Sequence, residues 1–143
     1  RALREAERAL DNGEVPVGAV IVFQGTIIGR GHNMVETLND ATAHAEILAI
    51  TAASDTLKSK VLADCTLYVT LEPCPMCAGA IVLSKLKRLV FGAFDEKAGS
   101  ASTLYNIPQD KRLNHTVEIV SGIEEEACAE LLRSFFLARR SMN

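Results

Sequence analysis

The chain has 143 residues, 48% of them hydrophobic and 23% charged, with a net charge of −3. That length and balance describe one ordinary domain with its own core and exclude the disordered and low-complexity classes. The negative charge argues against a protein that coats nucleic acid indiscriminately. The longest apolar runs, such as Val15 to Phe23, are interrupted and fall well short of the ~20 residues a membrane span needs, so no membrane association is expected. No charged-then-apolar leader is evident, and the expectation is a soluble, cytoplasmic protein. Residue 1 already falls inside a helical pattern, so a few natural residues are expected to precede it.

Arg1 to Leu10 places Ala2, Leu3, Ala6, Ala9 and Leu10 on one stripe, which predicts an amphipathic helix stopped by Asp11-Asn12-Gly13. Val15 to Phe23 reads as a β-rich run that tolerates Pro16 only near its start. Gln24-Gly25 is a tight-turn pair, and Thr26 to Gly31 forms the returning strand of a hairpin. A polar loop is expected from His32 to Asp40. Thr42 is a candidate N-cap for a helix running to about Leu57, with His44 in its first turn. Cys65 to Leu71 is a short β-branched and aromatic strand.

Pro73 and Pro75 then open a helix that ends near Lys85; proline suits a first turn, where the backbone N–H groups lack partners anyway. Leu86 to Phe91 is the next strand. Asp95 to Asp110 reads as loop with one helical turn around Thr103 to Tyr105, and Thr116 to Val120 as a short strand. Glu124 to Arg140 is a terminal helix, acidic at its start and basic at its end, as the helix dipole favours. Ala127, Leu131, Leu132, Phe135 and Phe136 are its expected core residues. Helices alternating with strands after an opening hairpin imply an α/β fold, a three-layer α/β/α sandwich on a mixed sheet.

Two of the four cysteines form a C-x-x-C, Cys74 and Cys77. At a helix start their sulfurs share one face, and the N-terminal end of the dipole favours thiolates. The spacing alone also fits a redox pair. Metal binding is favoured by His44 at a second helix start, with a strand between to bring the two ends together. A second C-x-x-C is lacking, so a closed four-cysteine site is not on offer. One His and two Cys leave a fourth tetrahedral position for water. Glu46, two residues past His44, lies near enough to that position to exchange protons with it. Cys65 and Cys128 sit among apolar residues and are read as free buried thiols. His32 and His115 have no such company and are read as loop or surface residues, His32 near a pocket. Lys85, Lys87 and Arg88, then Lys111 and Arg112, then Arg139 and Arg140 form three local basic clusters.

H-A-E followed by P-C-x-x-C is the known signature of the zinc-dependent nucleoside and nucleobase deaminases. Within that superfamily the chain resembles the bacterial tRNA-specific adenosine deaminases, which make inosine at the anticodon wobble position. The likeness rests on Glu14 to Ala19, Gly31-His32-Asn33, Thr42 to Glu46, Thr66 to Ala80, Phe91-Gly92-Ala93 with Asp95 and Lys97, and Phe135-Phe136 with Arg139-Arg140. It covers nearly the whole chain. The resemblance implies a cytidine deaminase-like fold on a five-stranded sheet, with residues 1–143 forming one cytidine/deoxycytidylate deaminase-type zinc-binding domain. It implies one Zn²⁺ per subunit on His44, Cys74 and Cys77, with Glu46 as the proton shuttle between water, adenine N1 and departing ammonia. Asn33 and the backbone of Ala45 would hold the purine, Val15 and Leu71 would line the base pocket, and Asp95 and Lys97 would contact sugar and phosphate. The implied partners are a tRNA anticodon stem-loop and a second copy of the chain, with Met76, Ile81 and Ser84 to Arg88 as candidate interface. Ala41 stands where the family often has Pro, and Ser102-Thr103-Leu104 replaces a Gly-Ser-Leu near the substrate. Two other readings remain: a deaminase of a free base or nucleotide, of the guanine or cytosine type, and a non-catalytic zinc or RNA-binding module.

Overall fold

Val20, Ile21 and Val22 on one strand and Ile27 and Ile28 on the next form the opening hairpin, turned by Gln24 and Gly25 at positive φ. Two positive-φ residues give the turn whose twist matches that of the flanking strands. The computed structural model describes residues 1–141; the last two residues of the expected domain lie outside that range. Its elements are α1 (Ala2–Asp11), β1 (Gly18–Phe23), β2 (Thr26–His32), α2 (Val35–Leu38), α3 (Ala45–Leu57), β3 (Cys65–Leu71), α4 (Pro75–Leu83), β4 (Arg88–Ala93), a 3-10 turn (Ile107–Gln109), β5 (Glu118–Val120) and α5 (Glu125–Ser141).

The strands form one mixed sheet in the order β2-β1-β3-β4-β5. β1 runs antiparallel to both β2 and β3, while β3, β4 and β5 are parallel. α1 and α5 cover one face and α3 and α4 the other, which is the expected three-layer sandwich. Ile21, Leu67, Leu89, Phe91 and Ile81 are fully buried between the sheet and α3 and α4.

How α3 sits on the sheet decides where the site falls. Ala45, Ala49 and Ala53 form its buried face, and each is fully buried. They lie against Gly31 and Gly29 of β2. A Cβ on Gly31 would fall 2.3 Å from the Ala45 carbonyl oxygen and 2.7 Å from the Ala49 nitrogen. Small residues on both sides let the helix lie directly on the strand, and its first turn then stands at the β2 end beside the carboxyl end of β3.

Several expectations shift. Thr42 does not cap α3: its N–H and hydroxyl both go to the Asp40 carboxylate, at 2.8 and 2.7 Å. That local turn delays the helix by two residues and makes His44 its N-cap. The polar loop holds the short helix α2, and the helical turn placed at Thr103 to Tyr105 occurs instead at Ile107 to Gln109, where Pro108 presets the backbone. On α5, Ala127 and Phe136 are exposed and Cys128 takes the buried position beside Phe135. Cys65 is buried as well, so both lone thiols pack as expected.

Candidate active site

The two sulfurs and the histidine come from two helix starts. His44 is the N-cap of α3 and Cys74 the N-cap of α4, both with extended backbone that turns the side chain out of the helix. Pro75 opens α4, and Cys77 follows in its first turn, buried. β3 leads into α4, so both helix starts meet at the carboxyl ends of β3 and β4, the usual place for a ligand in an open α/β sheet.

His44 Nδ1 lies 3.6 Å from Cys74 Sγ and 3.5 Å from Cys77 Sγ, and the three atoms lie within 4.8 Å of one another. A tetrahedral zinc with ordinary Zn–S and Zn–N lengths separates its N and S ligands by roughly 3.6 Å. The donor set therefore fits a zinc ion by chemistry and by spacing. Hydrogen-bonded to the Cys77 thiol and to His44, Cys74 is pulled down to about 4. Cys77 is pushed up, because it supplies the shared proton to Cys74 and is buried. The bond to Cys74 outweighs burial at His44 and raises its pKa. A cation arriving here displaces protons already shared among its ligands.

Glu46 is 4% exposed, and burial pushes its carboxyl up to about 7. Its own backbone N–H and the Cys77 thiol are the groups that favour its charged form, joined by the nearby His44; the Cys74 thiolate opposes them. A carboxyl poised near neutrality can both take and give a proton.

His44, Glu46 and Cys74 form the floor of a pocket of about 350 Å³, with Cys77 fully buried against His44. Asn33, Ala45, Val15, Leu71 and Asp95 all line the pocket. Asn33 also has a structural task, accepting from Val35 N–H at 3.2 Å and donating to the Val15 carbonyl at 3.4 Å. Val15 and Leu71 pack on the core as well as facing the pocket. Asp95 accepts from the N–H groups of Lys97 and Ala98. Lys97 is exposed and stands apart from the pocket lining. His32 lies 3.5 Å from Glu5, and His115 meets the Leu86 carbonyl at 2.7 Å; neither joins the sulfurs. A larger apolar hollow of about 390 Å³ lies by α1 and α5, lined by Val20, Val22, Tyr68 and Val90, away from all of this chemistry.

Two pocket-lining residues carry roles that sequence reasoning passed over. Glu14 accepts from Glu36 N–H, Thr37 N–H and the Thr37 hydroxyl, at 3.1, 2.6 and 2.6 Å, and so anchors α2. Glu72 does the same for the loop after β4. A lone acid inside an apolar stretch (Glu14 before Val15-Pro16-Val17, Glu72 between Leu71 and Pro73) was the available signal, since carboxylates are rarely buried without partners. Of the basic clusters, Arg88 pairs with Glu118 and Arg112 with Asp110, while Arg139 stacks over Phe135 at 5.1 Å and reaches the pocket.

The MafB19-like deaminase family model matches residues 1–140. The chain is 53% identical over 135 residues to the tRNA-specific adenosine deaminase of Bacillus subtilis (strain 168), covering 94% of this chain and 84% of that protein. This chain belongs to the deaminase family, among the tRNA-specific adenosine deaminases. A solved structure from studies of A-to-I editing by tRNA deaminases at the wobble position superposes with a TM-score of 0.88 at 43% identity, over 92% of this chain and 95% of that one. A guanine deaminase from Nitrosomonas europaea matches less well, with a TM-score of 0.79 at 26% identity over 94% and 80%.

Proposed function

We propose that this chain, as one cytidine/deoxycytidylate deaminase-type zinc-binding domain, hydrolytically deaminates adenosine to inosine at the wobble position of tRNA and releases ammonia. The observation that carries the reading is the floor of the pocket: three metal-type donors at tetrahedral spacing, with a buried carboxyl near neutrality beside them. A non-catalytic metal module would gain nothing from that acid. The relatives' named activity supports RNA over a free base.

His44 Nδ1, Cys74 Sγ and Cys77 Sγ would hold one Zn²⁺ per chain. When bound, the ion supplies Lewis acidity that brings the pKa of water towards neutrality. Glu46 takes a proton from the water that adds to C6 of adenine and delivers it to N1. It then takes the proton of the new C6 hydroxyl and passes it to the amino group, which leaves as ammonia as the carbonyl of hypoxanthine forms. Ala45 opens α3, where first-turn N–H groups lack intrahelical partners, and its N–H is the donor proposed for the purine. Asn33 contributes its amide, and Val15 and Leu71 grip the base between them. Asp95, with Lys97 further out, faces sugar and phosphate.

The proposed assembly is a homodimer in the cytoplasm. Met76 and Leu83 on α4 are 36% and 80% exposed and support a contact on this helix. Ile81 is fully buried in its own chain's core and is withdrawn from the expected interface. Light scattering at micromolar concentration should give twice the chain mass. The reaction is tested by incubating the enzyme with a tRNA carrying A at the wobble position, beside free guanine, cytosine and adenosine. Inosine in the tRNA is expected; turnover of a free base with none in the tRNA would sink the RNA reading.

A further inference from the structure

The segment from Asp95 to Thr103 follows β4 with turns and bends, and brings Asp95 and Ala98 into the pocket wall. Backbone outside helices and sheets must find partners elsewhere. Here one buried side chain takes the N–H groups at both ends of the segment, and Asp95 itself takes those of Lys97 and Ala98. Glu72 is 1% exposed and sits between Leu71, which lines the pocket, and Pro73-Cys74, which opens α4. Its Oε1 accepts from Asp95 N–H at 3.1 Å and from the Thr103 hydroxyl. Its Oε2 accepts from the N–H groups of Ala101, Ser102 and Thr103 at 3.1, 2.8 and 2.8 Å. Gly99 passes so close that a Cβ there would fall 2.4 Å from Oε1. Ser100 N–H adds a bond to the Pro73 carbonyl at 2.9 Å.

We propose that Glu72 is a positioning residue: it holds the loop from Asp95 to Thr103 as the substrate-facing wall and so sets affinity for substrate rather than the rate of the chemical step. The proposal rests on the deaminase reading above. Loop and carboxylate depend on each other. A buried carboxylate without donors is costly, and the N–H groups of a loop this close to the core have nowhere better to go. All five donors to Glu72 come from the loop, and both ends of the loop are tied, at Asp95 and at Thr103. Glu72 therefore acts on whatever Asp95 and Ala98 touch, and on the metal donors only through the shared strand–helix junction.

The test pairs Glu72→Gln with Thr103→Val in the full chain, loaded with zinc. Gln keeps the shape but turns an NH₂ toward N–H donors; Val removes one donor and leaves the carboxylate. For Glu72→Gln, hydrogen exchange at Ala101 to Thr103 should quicken by about tenfold to a hundredfold, while the amides of α3 stay protected. KM for an anticodon stem-loop should rise about tenfold with kcat changed less than about threefold, and metal content should stay at that of the wild type. Thr103→Val should move the same readouts less, and it carries the test if Glu72→Gln does not fold. An opened loop with unchanged KM, a fall in kcat alone, or loss of the metal overturns the proposal. Should the wild type leave the stem-loop untouched and deaminate a free base, the RNA reading falls. KM for that base then becomes the readout, and an unchanged KM in the variants overturns the positioning role.

Discussion

The floor of the pocket and its two walls each contain a buried glutamate, and the three are treated in opposite ways. Burial raises the pKa of every one of them and is the largest single influence on each. At Glu14 and Glu72 the bonds from Thr37 and Glu36, or from Thr103, Asp95 and Ala101, together outweigh burial, and both carboxyls end below the ordinary value. Glu46 has its own backbone N–H and one thiol for partners, faces the Cys74 thiolate, and rises to about 7. Donor supply, together with how strongly burial weighs on each carboxyl, separates a carboxylate that holds a wall from the one proposed to trade protons. A group fixed in its charged form by several donors is poorly suited to giving a proton back, so the wall glutamates and the floor glutamate cannot exchange tasks.

The comparison is broken most severely at the floor. Cys74→Ala removes a donor that sits 3.6 Å from His44 Nδ1, and both bound zinc and deamination should be lost together. Metal analysis beside a rate assay checks this; zinc retained at the wild-type level would remove Cys74 from the ligand set. Glu46→Ala should instead keep the zinc and lower kcat by about 10²- to 10⁴-fold, the range for a positioned general acid–base. Full activity in Glu46→Ala would refute the shuttle.

The floor was more legible in the sequence than the walls. His44, Glu46, Cys74 and Cys77 announce themselves by type and spacing, and helix starts can be read from Pro73 and Pro75, so the cluster could be assembled before any fold was known. The sheet followed from alternating strands and helices, with strand ends off by a few residues because Gly18 and Arg88 begin pairing later than the apolar runs begin. Glu14 and Glu72 were hidden for a physical reason. The lone acid shows in each apolar stretch, but its partners lie 22 to 31 residues away and most are backbone N–H groups, which leave no mark on residue identity. Thr42 misled because its side chain had a nearer acceptor in Asp40. Phe136 misled because a helical stripe does not say how much of it the sheet can reach; at 49% exposure it lies beyond the covered part.

A smaller effect should come from moving the floor without touching its chemistry. Gly31→Ala puts a methyl group 2.3 Å from the Ala45 carbonyl oxygen, in the first turn of the helix that carries Glu46 and follows His44. Neither backbone can yield cheaply, so unfolding should become easier by about 1–3 kcal/mol, the ordinary penalty of overpacking. Urea denaturation measures that loss. kcat assayed well below the unfolding midpoint should fall as well, because the α3 start is pushed away from β2 and Glu46 moves relative to Cys74 and Cys77. A destabilised variant with unchanged kcat would show that the floor tolerates a shift of α3.

The mildest test addresses a wall through pH. Glu14 lines the pocket where it holds α2, and its folded pKa is below the ordinary 4.5 because the hydrogen bonds from Thr37 and Glu36 outweigh its burial. Above 4.5 it is ionised in both folded and unfolded chains, and its contribution to stability is fully present. As pH falls below 4.5 the unfolded chain takes up the proton first, so the contribution shrinks and is gone once pH drops through the folded value. The acids of the rest of the molecule change stability over the same window, and comparison with Glu14→Gln cancels most of them. Wild type should be the more stable at pH 7, by urea denaturation, and the difference between the two proteins should narrow from pH 4.5 downward. A difference that stays constant to pH 3 would mean that Glu14 holds α2 no better charged than neutral. The contrast between donor-rich walls and a donor-poor floor would then rest on Glu72 alone.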